Sequence, residues 1–168
     1  MTKLIALLFL VGTAHAQRPD LTKQKAAMAK LGFLAGTWSG PANITRGPTP
    51  TKITQTEVVE SQLDGTVLAV HGTGRDATGK VVFEALATIA YDEATSTYRI
   101  RAYNDGHYVD EALKVGDKTF DWGFGSQGFA VANAMHLTAK GEWAETTMVT
   151  IGTKPATKAV DMVLAHQK

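Results

Sequence analysis

The sequence predicts an all-β protein, a single antiparallel up-and-down β-barrel of about ten strands with a short N-terminal helix closing one end. Three observations carry that expectation. From Trp38 onward, short segments rich in Val, Ile, Thr, Tyr and Phe recur without a helical period. They are separated by brief turns built on Gly, Asp and Asn, and such short connections favour a meander over a Greek key. A meander of this many strands leaves long unpaired edges unless it closes on itself.

The chain opens with one charge, Lys3, then the apolar run Leu4 to Val11 and the small-residue tripeptide Ala14-His15-Ala16. This order is that of a secretory signal peptide, with cleavage expected before Gln17. The expected organisation is therefore a signal peptide over 1–16, a leader and short helix over 17–36, and a barrel over 37–168, placing the protein in the periplasm or medium. The apolar run is far shorter than the roughly 20 residues that span a bilayer, so no membrane insertion is expected. Removing residues 1–16 leaves 152 residues, one domain's worth of chain, with 16 basic against 16 acidic side chains. That balance supplies no electrostatic reason to bind nucleic acid. The absence of cysteine excludes a disulfide framework and thiolate chemistry together.

Asp20 is placed to cap a helix running from about Leu21 to Leu31, whose Leu21, Ala27, Met28 and Leu31 approximate one face. Candidate strands follow at Thr37–Thr45, Thr51–Gln62, Thr66–Gly74, Lys80–Tyr91, Thr97–Asn104, His107–Val115, Lys118–Phe124, Phe129–Thr138, Trp143–Ile151 and Ala159–His166. The turns between them include Asp64-Gly65, Asn104-Asp105-Gly106, Gly116-Asp117 and Lys140-Gly141. Only the stretch Arg46 to Pro50, with Gly47, Pro48 and Pro50, reads as an irregular connection.

The run Leu31-Gly-Phe-Leu-Ala-Gly-Thr-Trp-Ser-Gly40 resembles the Gly-x-Trp opening strand of calycin-type, lipocalin-like barrels, and more closely that of nitrobindin-like and related secreted bacterial barrels of uncharacterised function. Gly36 suits the tight passage from helix to strand, and Trp38 suits a large apolar plug at the barrel end. The likeness continues through Tyr91-Asp92, Tyr98 to Tyr103 and Trp122-Gly-Phe124. What it implies is the fold, and kinship with fatty-acid-binding barrels. The nitrobindin branch binds haem through a histidine on its last strand; here that strand carries only His166, at its extreme end. His136 is the one candidate for a replacement haem ligand, and otherwise no metal or cofactor is expected.

Arg99, Arg101 and Tyr103 alternate with Tyr98, Ile100 and Ala102 and so share one face of a strand. If that face is interior, it forms an anion site, because a guanidinium fork suits a carboxylate. If it is the outer face, the arginines pair with acids on neighbouring strands. Glu57, Glu60 and Glu84 lie in β-like segments and could enter the barrel as counter-charges or as acid and base. The aromatics Trp122, Phe124, Phe129 and Trp143 are core residues in a filled barrel and wall residues in a hollow one.

His71, His107, His136 and His166 form no metal-binding spacing. Gly72-Thr-Gly74 leads into no helix and is not a phosphate loop, and no serine sits on a strand-to-helix elbow. Tyr, Arg and Glu are the residue types used by phenolic acid decarboxylases, which are lipocalin-like barrels, but no motif is matched and no catalytic residue is assigned; the chain reads as a binding protein before it reads as an enzyme. The leading expectation is an exported barrel that binds a small hydrophobic or carboxylate-bearing molecule, with Arg99, Arg101 and Tyr103 as polar anchors and Trp122 and Trp38 in the wall. The alternatives are a haem-binding barrel, and a ligand-free barrel acting through its surface.

Overall fold

The computed structural model describes residues 19–168; the expected signal peptide over 1–16 lies outside them. Ten antiparallel strands close into one barrel: β1 (Gly36–Ile44), β2 (Thr51–Gln62), β3 (Val67–Arg75), β4 (Val81–Asp92), β5 (Thr97–Asn104), β6 (His107–Gly116), β7 (Thr119–Ser126), β8 (Phe129–Leu137), β9 (Trp143–Ile151) and β10 (Thr157–His166). Each strand pairs with its neighbours in the chain, and β1 pairs with β10 to close the ring. The up-and-down barrel expected from the turn spacing is therefore the observed fold, and closure leaves no free sheet edge.

The helical segment is shorter and tighter than its sequence pattern suggests. Helix α1 covers Thr22–Met28 and passes into a 3₁₀ stretch over Ala29–Leu34. Asp20 tethers the start, its Oδ1 accepting from the backbone N–H and the hydroxyl of Thr22 at 3.0 and 2.6 Å. Those bonds favour the ionised carboxylate and hold its pKa below the ordinary value. Met28, Leu31 and Leu34 are buried, and the Tyr98 hydroxyl donates to the Ala27 carbonyl at 2.8 Å, pinning the helix to β5.

Beneath this plug the barrel end is packed with aromatic rings. Trp38 packs edge-on against Trp143, and Trp143 against Phe120, with ring centroids 5.9 and 6.1 Å apart. The Trp38 indole N–H donates to the Leu34 carbonyl at 2.8 Å, so the plug and the first strand are joined by a buried bond. Gly36, at φ 123°, makes the passage from 3₁₀ turn to strand; a side chain there would also strike the His166 ring, 2.4 Å from the nearest position a Cβ could occupy.

Candidate functional site

Toward the opposite end the interior is not filled. A cavity of about 540 Å³ runs from Leu34 to the mouth of the barrel. Its walls are mostly apolar and aromatic, with Ile100, Phe120, Trp122, Phe124 and Val131 among them. The mouth is rimmed by the β5–β6 turn, and Arg46 in the β1–β2 loop reaches Asp105 in that turn at 3.1 Å, tying two loops together there.

A polar patch interrupts the apolar wall. It comes from the inward positions of β2, β8 and β9. Along β2, the buried series is Ile53, Gln55, Glu57 and Val59, apolar at both ends and polar in the middle. Along β9, Trp143 points inward, so its second and fourth successors, Glu145 and Thr147, do as well. Asn133 is the buried inward residue on the adjacent part of β8.

The patch is organised by short hydrogen bonds. The Gln55 amide donates to Glu57 Oε1 at 2.7 Å, the Trp143 indole N–H to Glu145 Oε2 at 2.9 Å, and the Thr147 hydroxyl to Asn133 Oδ1 at 2.6 Å. Two glycines on β3 make room for it. Gly72 stands opposite Glu57 in register, and a Cβ there would lie 2.8 Å from both carboxylate oxygens. Gly74 stands opposite Gln55, and its Cβ would lie 2.8 Å from Gln55 Oε1. The Gly-Thr-Gly run thus serves as a notch for polar side chains reaching inward from the next strand.

Both carboxyls are held far from their usual acidity. Glu57 is pushed from 4.5 up to about 8, chiefly by removal from water; the Gln55 bond opposes the rise and the nearby Glu145 charge adds to it. Burial likewise pushes Glu145 up to about 7 against the opposing Trp143 bond. Glu145 keeps some accessible surface, but that surface faces the cavity. Near neutral pH, then, Glu57 is mainly protonated and Glu145 is divided between its two forms.

The residues singled out from the sequence are dispersed. Arg99 and Arg101 are on the outside: both pair with Asp110 of β6, with Nε–Oδ distances of 3.0 and 2.6 Å, and their side chains are 42 and 61% exposed. The interior anion site is thereby corrected to an outer-face ion-pair cluster, because Ile100 and Ala102 take the inward positions of β5. The Arg101 and Arg99 bonds hold Asp110 below the ordinary carboxylate range. Tyr103, 45% exposed, stacks on Tyr108 at the rim. Trp122 lines the cavity, whereas Trp38 belongs to the solid end. His136 is exposed and absent from the cavity wall, so it does not fit as a ligand to an interior haem; among the described residues only His107, at the mouth, brings an imidazole to the cavity. Among the three acids considered, Glu57 enters the barrel while Glu60 and Glu84 stay outside, Glu84 beside His71 at 3.2 Å. Glu145 also enters the barrel, as its spacing of two from the inward Trp143 signals.

No grouping of His, Cys, Asp and Glu suited to a metal ion occurs among the described residues, and no helix there is long and apolar enough to cross a membrane.

A closed ten-strand antiparallel barrel with a helical plug fits a calycin-like barrel fold. The chain is similar to the crystal structure of Rv2717c from M. tuberculosis, with a TM-score of 0.64 and 13% identity over 84% of this chain and 98% of that one. At that identity the likeness establishes the fold alone. No family model matches the sequence, and comparison with curated proteins gives no match.

Proposed function

We propose that this protein is an exported carrier or sensor of a small hydrophobic molecule, held in the barrel cavity. The observation that carries the reading is the cavity itself: a preformed, largely apolar chamber with a few convergent polar groups is the usual form of a small-molecule site. Export rests on the signal-peptide pattern of residues 1–16. The nitrobindin-like likeness of Leu31 to Gly40 supports a place among secreted calycin-type barrels without supplying a haem ligand. A carboxylate-bearing ligand is disfavoured, since the arginines expected to hold it stand outside and, among the described residues, no Lys or Arg lines the cavity.

Native mass spectrometry of the protein purified from its own producing cells tests this reading. The expected result is a discrete extra mass of a few hundred daltons that disappears on denaturation. Identical native and denatured masses, together with no binding of neutral apolar probes that enhance Trp fluorescence, would overturn it.

A further inference from the structure

We propose that the cavity selects hydrophobic amines, with the ligand's protonated nitrogen held by Glu57 and Glu145 and its apolar body along the Trp122 wall. The proposal rests on the small-molecule reading above and adds the chemical class of the ligand.

The first argument is the charge inside the wall. Two carboxyl groups from β2 and β9 face one cavity, and among the described residues no Lys or Arg faces it with them. A carboxylate in so apolar a chamber is costly unless paired, and a cation brought by the ligand would supply the missing partner. The second argument is the set of unused hydrogen-bonding atoms. Gln55, Glu57 and Asn133 are all more than nine-tenths buried. Yet among the described residues Gln55 Oε1, Glu57 Oε2 and Asn133 Nδ2 take part in no hydrogen bond, and neither does Glu145 Oε1. None of these atoms is sealed from the cavity. Three of the four are oxygens, so acceptors outnumber donors among the unused atoms of the wall, the more so once the carboxyls are ionised. An alkylammonium presents up to three N–H donors and no acceptor, which matches that inventory; a carboxylate presents the reverse. The glycine notch shows that the position of Glu57 is built into the fold, because any side chain at 72 would displace it.

The charged and titratable groups facing this pair are few. β9 contributes Glu145 to Glu57 and β2 contributes Glu57 to Glu145, while β1, β3, β8 and β10 present none to the cavity. The rim adds Asp105, His107, Tyr103 and Tyr108. Because Glu57 and Glu145 hold protons near neutral pH, binding a cation between them must expel those protons.

Isothermal titration calorimetry with three ligands of equal chain length provides the test. At pH 8.5, octylamine is expected to bind about tenfold or more tighter than 1-octanol, and octanoate more weakly than either. Near neutral pH the heat of octylamine binding should vary with the ionisation enthalpy of the buffer, reporting proton release, and the amine preference should collapse by pH 5.5. In the double variant Glu57→Gln, Glu145→Gln, octanol binding should persist, showing an intact cavity, while the amine preference is lost. Octylamine binding no tighter than octanol, or a preference that survives in the double variant, would overturn the amine assignment and leave the hydrophobic cavity standing. If neither octanol nor octylamine binds, the small-molecule reading falls with it.

Discussion

The two halves of the barrel are made by the same strands and obey the same inward–outward alternation, yet one is solid and the other hollow. At the plugged end, large side chains from the helix and several strands converge: Leu31, Leu34, Trp38, Trp143, Phe120 and Leu164 leave little room and are almost wholly buried. Toward the open end the inward residues of β4 include Ala85 and Ala87, whose small side chains border the cavity, while Gly72 and Gly74 of β3 leave room that Glu57 and Gln55 occupy. Alternation decides which residues face inward; their sizes decide whether the interior is core or site. Stability and binding are thereby divided between the ends.

That division predicts unequal responses to truncation. Leu164, fully buried near Trp143 in register, is in the solid half, and Leu164→Ala should cost about 3 kcal/mol, through lost burial and a new void. Val131 borders the existing cavity, so Val131→Ala only enlarges a space already present and should cost less than about 1 kcal/mol. Urea denaturation of the two variants measures the contrast. Equal losses would mean that the two halves are packed alike.

An effect of comparable size, but confined to one range of pH, is expected at the polar patch. The folded state raises the Glu57 pKa from 4.5 to about 8, so across that interval the native protein binds more protons than the unfolded chain. Stability conferred at low pH is therefore lost as pH climbs through the interval, and above about 8 the full cost of a buried charge is felt. Glu57→Gln keeps the shape and removes the charge. It should raise Tm by about 10 °C or more near pH 9 and leave it almost unchanged near pH 4. A difference in Tm that is independent of pH would show that Glu57 does not titrate in the cavity.

The hollow half was harder to read in the sequence than the fold. Strand identity follows from local chemistry, and turns such as Asn104-Asp105-Gly106 and Lys140-Gly141 mark the ends of β5 and β8 closely. Which face of a strand is inward depends on its neighbours. On β5 the arginines and the Ile100 series are equally regular, and only closure of the barrel decides between them. On β9 the clue was available, because Glu145 follows an indole destined for the core by one full alternation. The pairing of Glu57 with Gly72 was not, since register between strands is set by the whole barrel and not by either segment.

The smallest effect is expected where the sequence pattern attracted most attention. Arg101 lies across from Asp110 in register and shares it with Arg99. Losing Arg101 therefore leaves Asp110 with its second partner, in surroundings where solvent screens what remains. The pair also stands on the opposite side of the wall from the cavity, where Ala102 and Ile100 occupy the inward positions. Arg101→Ala should thus leave apolar-probe affinity within twofold of the parent and shift Tm less than either Leu164→Ala or Glu57→Gln. Titration of the probe against Trp fluorescence, beside a thermal melt, gives both readings. A substantial loss of affinity with an unchanged melt would mean that the outer arginine reaches the ligand after all, and that the inner and outer faces of β5 are not functionally separate.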